Sequence, residues 1–198
     1  MNFNWFDIAY LCGGNESQKV TFQILQKLQL FEHLKAFSPV LVGSIPLGIN
    51  IQDSDIDVIC EVYDFPSFLQ RVQCIDKLQP HTPSINQYLI NNIESIIINY
   101  QTTNFSLEIF GQPQPVFQQH AYRHLLVEHR LLKIGDNATF QAIRNLKQAG
   151  FKTEPAFAKY FNLAGNPYNA LLDLEMLDEE QLALRIASGI TDPHASYR

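Results

Sequence analysis

GSIPLGINIQDSDIDV, residues Gly43–Val58, is the stretch on which the reading of this chain turns. Two aspartates, Asp55 and Asp57, stand two apart among Ile56, Val58 and Ile59. An extended strand points residues i and i+2 to the same side, with Cα atoms roughly 6–7 Å apart. Asp55 and Asp57 therefore share a face, and Ile56, Val58 and Cys60 take the other. Two carboxylates brought to about 4 Å repel by roughly 4 kcal/mol at an effective dielectric near 20. A hard divalent cation between them, Mg²⁺ or Mn²⁺, removes that repulsion, and Mg²⁺ commonly completes its shell with substrate phosphate. The preceding apolar run, Val40-Leu41-Val42, reads as a short strand ending at Gly43-Ser44. A glycine there lets the backbone approach a phosphate closely, and Ser44 adds a hydroxyl and an amide. Gly48 allows the following turn to close. The lysine and the GK[ST] ending of a Walker A loop are missing.

Working outward, Glu16–Phe37 carries apolar residues at Val20, Ile24, Leu25, Leu28, Phe31 and Leu34, a helical stripe stopped by Ser38-Pro39. Phe65–Leu78 reads as a helix behind Asp64, with Pro66 confining its start. Ser84–Ile90 is ambiguous. Glu94–Tyr100 and Phe105–Phe110 flank a polar turn and predict a β-hairpin. On its second strand Glu108 sits between apolar neighbours, so an adjacent strand would bring a third carboxylate beside Asp57. Three carboxylates on two strands can hold two metals, one for a triphosphate and one to polarise an attacking hydroxyl. From Val116 onward helices are expected over Phe117–Lys133 and Asn137–Ala149, then from Thr153 (as cap), Asn166-Pro167 and Asp178. The expected organisation is an α/β domain over 1–115 followed by a helical subdomain over 116–198.

These residues resemble the signature of the polymerase-beta-like nucleotidyltransferase superfamily: Gly43-Ser44-x-x-x-Gly48, then Ser54-Asp55-Ile56-Asp57-Val58. The resemblance implies an α/β (α+β) fold with a mixed sheet flanked by helices and a C-terminal helical region. It implies that Asp55, Asp57 and, on a later strand, Glu108 are catalytic and bind metal, and that Gly43, Ser44, Gly48 and Ser54 contact the nucleotide. Many members have aspartate at the third position. Small bacterial members often carry an arginine where this chain has Ile45-Pro46-Leu47. More narrowly, the chain resembles a bacterial family catalogued as domain of unknown function 4269. The stretches that carry this are Gly43–Val58, Glu108-Ile109-Phe110-Gly111-Gln112 and Gln119-His120-Ala121-Tyr122-Arg123-His124.

His120, Arg123, His124 and Glu128 recur at i, i+3, i+4 and i+8, one face of a helix. They read either as a polar wall, with Arg123 on a phosphate and His120 and His124 on the substrate side, or as a solvated or domain-bridging face. His129, Arg130 and Lys133 favour the helix C-terminus.

The chain has 198 residues, 46% of them hydrophobic, enough for a real core. Lys plus Arg total 14 and Asp plus Glu 20, a formal charge of −6. That balance does not favour a long nucleic-acid partner. Cys12, Cys60 and Cys74 have no zinc spacing, and reduced thiols in a cytoplasmic compartment fit them. No signal peptide or membrane span is read. The expected activity is transfer of a nucleoside monophosphate from a nucleoside triphosphate, ATP first among them, to a small-molecule or protein acceptor with release of pyrophosphate. Two other readings stand beside it. One is a catalytically inactive nucleotide-binding or regulatory protein of the same fold. The other is metal-dependent phosphoester hydrolysis at the same carboxylates.

Overall fold

The computed structural model describes residues 3–52, 54–75, 78 and 81–187. These residues form two compact units. One contains the residues up to Gly48 and from Ser54 to Tyr122; the other contains Ile49–Gln52 and the residues from Arg123 onward.

In the first unit, helix α1 (Glu16–Leu28) begins at Asn15, whose side chain accepts from the Gln18 amide while the Gln18 side chain accepts from the Asn15 amide. This reciprocal cap satisfies two amides that a helix start leaves without partners. The helix expected to run to Phe37 ends sooner. Gln29 adopts a left-handed conformation (φ 50°) and starts a short helix α2 (Leu30–His33), followed by a 3₁₀ turn at Lys35–Phe37. The break redirects the chain so that Leu30 and Leu34 are fully buried, whereas Val20, which the stripe had placed inward, is half exposed.

Five strands make one sheet in the order β1-β2-β5-β4-β3: β1 (Val40–Val42), β2 (Ile56–Glu61), β3 (Ser84–Ile90), β4 (Ile93–Gln101) and β5 (Ser106–Gln112). β2 and β5 run parallel and the other neighbours antiparallel, so the sheet is mixed as expected. Helix α3 (Phe65–Gln73), capped by Asp64 and opened by Pro66, lies between β2 and β3 in the chain. The β4–β5 hairpin forms where the β-branched runs predict it. The ambiguous segment Ser84–Ile90 is also a strand, joined to β4 through Asn91-Asn92 at φ 53° and 62°, the left-handed pair that twists correctly between antiparallel strands and that asparagine tolerates. One sheet face carries Ile56, Val58, Cys60, Ile96, Ile98, Leu107 and Ile109 into a core with Leu25, Leu34, Phe68 and Val72. Burial of these side chains is the main driving force for the unit, at about 1.5–3 kcal/mol per large aliphatic residue.

Helix α4 (His120–Ile134) starts in the first unit and continues into the second, which also contains α5 (Asn137–Gln148), α6 (Thr153–Tyr160), α7 (Pro167–Leu172) and α8 (Glu179–Ala187). Asp136 and Asn166 cap α5 and α7. Thr153, expected as the cap of α6, is instead its first residue and accepts from Lys147 Nζ at 2.8 Å; the cap position is Lys152, whose side chain makes no capping bond. Arg130 donates to the Glu175 and Leu177 carbonyls and to the Glu179 carboxylate, tying α4 to the turn before α8. Among the described residues no helix is long and apolar enough to cross a membrane.

Candidate active site

The site is built by register. β1 runs antiparallel to β2, with Val42 opposite Asp57, so Gly43-Ser44 at the end of β1 returns to the start of β2. β5 runs parallel on the other side of β2, with Glu108 opposite Asp57. Residues paired across adjacent strands, about 4.8 Å apart, present their side chains on the same face. Asp57 and Glu108 thus form a carboxylate pair on the face opposite the core, and both are half-buried. The row continues to Asn99 on β4 and Ser84 on β3. Asp55 lies one residue before β2, exposed, outside the strand that was expected to include it.

The loop after β1 is held firmly. Gly43 (φ 76°) and Gly48 (φ 72°) both occupy the left-handed region that favours glycine. A β-carbon on Gly43 would collide with Asp57 Oδ2, so the absence of a side chain gives the carboxylate its place. Ser44 is buried and its hydroxyl lies 3.3 Å from that of Ser54, so the two serines close the loop at the foot of β2. Gly48 donates to the Ile45 carbonyl at 2.9 Å to form the turn. The start of α1 grips this turn from outside. Gln18 Nε2 donates to the Ile45 and Pro46 carbonyls at 2.9 and 3.2 Å, and Asn15 Nδ2 to the Gly48 carbonyl at 3.3 Å. Ile45-Pro46-Leu47, which stand where an arginine is common in small bacterial relatives, are buried. The only local signal of Asn15 and Gln18 is the capping pattern, which says nothing of contacts 27 to 33 residues away.

The structure therefore brings Gly43, Ser44, Gly48, Ser54, Asp57 and Glu108 into one neighbourhood, with Asp55 at its margin. The helical stripe divides. His120 Nδ1 lies 3.3 Å from Asn91 Nδ2 at the tip of the β3–β4 hairpin. Arg123 donates through Nε and Nη2 to Glu175 Oε2 at 2.8 and 2.6 Å. His124 is buried in the helical unit, with Nε2 donating to the Tyr168 carbonyl at 2.9 Å and Nδ1 3.6 Å from Glu154. Glu128 is buried too, and burial, then the neighbouring Glu154, hold its carboxyl well above the usual range against the opposing pull of Lys147.

Among the described residues no three or more His, Cys, Asp or Glu side chains are gathered as a metal cage. The donors nevertheless suit a hard cation. Mg²⁺ is usually held by one or two carboxylates together with substrate phosphates, not by an all-protein shell. Asp57 and Glu108 offer two such carboxylates beside a loop whose first glycine leaves Asp57 unobstructed.

Comparison with solved structures defines the class of this fold. The chain is similar to a cytoplasmic RNA terminal U-transferase at 17% identity and TM-score 0.50, covering 80% of this chain and 46% of that one. It is similar to the structure of the GLD-2/RNP-8 complex at 12% identity and TM-score 0.51, covering 88% and 74% of the two chains. At these identities the likeness is one of fold alone, a nucleotidyltransferase-like α/β fold, and the chain spans about half the length of the first of these structures. Within that class the chain belongs to the family described as domain of unknown function DUF4269, whose sequence profile matches residues 23–174. No curated protein sequence matches it.

Proposed function

We propose that this chain is a metal-dependent nucleotidyltransferase that moves a nucleoside monophosphate from a nucleoside triphosphate to a small-molecule or protein acceptor. The observation that carries this reading is the pairing of Asp57 with Glu108 across β2 and β5, with Gly43-Ser44 folded back against Asp57. Asp57 and Glu108, with Asp55 at the strand entrance, would hold Mg²⁺ or Mn²⁺. The cation, when bound, supplies charge neutralisation on the phosphates and a lowered pKa for an acceptor hydroxyl. Gly43 and Ser44 contact the triphosphate through backbone and hydroxyl, and Ser54 fixes Ser44 in place. Glu108, on the β5 side, orients the acceptor, which attacks the α-phosphorus in line as pyrophosphate leaves. Positioning and charge stabilisation do most of the work in such transfers. Arg123 and His124 take no part in the site, since Arg123 is engaged by Glu175 and His124 by the Tyr168 carbonyl within the helical unit.

The formal charge of −6 supports a small-molecule or protein acceptor over a long nucleic acid. The similar U-transferase acts on RNA by its name, so an RNA oligonucleotide belongs in the acceptor screen. Titration calorimetry with ATP, GTP, CTP and UTP, with and without Mg²⁺, on wild type and Asp57→Asn tests the reading. Metal-dependent binding abolished in the variant is the expected result, and pyrophosphate release in the presence of a matching acceptor completes it. Nucleotide binding with no transfer to any acceptor class would favour the inactive regulatory reading. Release of inorganic phosphate from a phosphoester without nucleotidyl transfer would favour hydrolysis. Absence of binding to all four nucleotides by folded protein would overturn the assignment.

A further inference from the structure

Among the described residues, strand β3 ends the sheet, with β4 its only neighbour. Ser84–Leu89 are all exposed, including Ile85 at 41%, Tyr88 at 53% and Leu89 at 72%. Among the described residues, no backbone hydrogen bond links Ser84–Ile90 to anything beyond the β4 ladder. Natural sheets protect such an edge with lysine or other charges, proline, bulges, short strands or a covering element. β3 has seven residues in unbroken register with β4 and contains no charged residue and no proline. It is therefore a template for another strand with nothing in its own sequence to repel one.

The sequence SINQYLI also says which strand fits. Laid antiparallel on a second copy with Gln87 opposite Gln87, Ile85 falls opposite Leu89, Asn86 opposite Tyr88 and Ser84 opposite Ile90. Ile85, Gln87 and Leu89 lie on the core side of the sheet, opposite Ile98, Ile96 and Glu94 of β4. The apolar exposed residues of that side thus pair with each other across the dyad, the cross-strand contact that stabilises sheets. No like charges meet anywhere along the seam. We infer that β3 is a self-association edge, through which two copies of this chain join their five-stranded sheets into one about a two-fold axis at Gln87. An isologous contact of this kind closes on itself and stops at a dimer. The axis stands perpendicular to the sheet, so both Asp57–Glu108 pairs open on the same side, on the order of 30 Å apart by strand spacing.

Sedimentation velocity at micromolar concentration tests the inference directly. Wild type is expected at twice the monomer mass. Ile85→Lys with Leu89→Lys sets ammonium groups opposite one another in the seam and is expected to return a monomer with an unchanged circular dichroism spectrum. The register is tested in a Cys12→Ser/Cys74→Ser background, which removes the two exposed thiols. Opposed residues of an antiparallel pair have Cα atoms about 4.5–5.5 Å apart, within the ~4.4–6.8 Å that a disulfide spans. Gln87→Cys is therefore expected to cross-link two copies on mild oxidation, and Asn86→Cys far less. This second arm stands even where the double lysine variant fails to fold. A monomeric wild type, a dimer indifferent to the lysines, or equal cross-linking at Asn86 and Gln87 would each overturn the inference.

Discussion

The carboxylate of Asp57 occupies the space that a side chain on Gly43 would need. One residue thus serves the next: the end of β1 is glycine so that the acid at the start of β2 can sit over it. Gly43→Ala meets two obstacles, the collision with Asp57 Oδ2 and a left-handed backbone (φ 76°) that costs a non-glycine residue about 1–2 kcal/mol. The expected outcome is a stability loss of about that size by urea denaturation, together with metal-dependent nucleotide binding reduced at least tenfold. Full binding in the folded variant would show that Asp57 does not need this position.

The register of Asp57 with Glu108 places two carboxylates opposite one another on a parallel strand pair, and like charges so placed destabilise a sheet. Without divalent metal, Glu108→Gln is expected to be at least as stable as wild type in thermal unfolding. With Mg²⁺ the order reverses, because a cation bound by the native state alone adds stability by mass action. A Mg²⁺ effect of equal size in wild type and Glu108→Gln would remove Glu108 from the metal set.

What the sequence made legible follows from how local each signal is. Gly43, Ser44 and Asp57 could be brought to one neighbourhood because their signal lies within sixteen residues, although Asp55 falls outside β2, and the β4–β5 hairpin could be read because its β-branched runs flank a polar turn. β3 was ambiguous because its side chains are exposed, so no inside-outside alternation exists to read. The break at Gln29 was hidden because the left-handed turn there uses neither glycine nor proline. The stripe from His120 to Glu128 has polar residues at helical spacing whichever way it faces; partners far along the chain, Tyr168, Glu154 and Lys147, draw its C-terminal half inward.

Gln18 joins the helix cap to the loop after β1, and its single side chain serves both. Gln18→Ala removes its cap bond to Asn15 and leaves two buried carbonyls, of Ile45 and Pro46, without that donor. A lost cap costs about 0.5–2 kcal/mol and an unsatisfied buried polar group about 1–3 kcal/mol. Chemical denaturation is expected to show a loss of at least 1 kcal/mol. Hydrogen exchange is expected to rise at Gly48, whose amide closes the turn. Unchanged exchange at Gly48 would mean that the loop holds itself without α1.

Glu128 gives the helical unit a pH dependence of defined sign. Its carboxyl is held well above the usual range by burial, then by Glu154, with Lys147 opposing, and among the described residues its Oε1 has no hydrogen-bond partner. Between the unfolded and folded values the native state binds the proton that the unfolded chain has released. Stability is therefore fully present below the ordinary glutamate range and falls as pH rises through the raised folded value, by up to about 1.4 kcal/mol per pH unit. Glu128→Gln keeps the shape and cannot ionise. It is expected to flatten this part of the stability–pH curve and to exceed wild type in stability at the alkaline end, while matching it near pH ~4, about the unfolded glutamate value. Thermal unfolding of both proteins across the range makes the comparison. Parallel curves for wild type and Glu128→Gln would assign the pH dependence to other groups, and a less stable Glu128→Gln at high pH would mean that the electrostatic attraction of Lys147 outweighs the cost of burial.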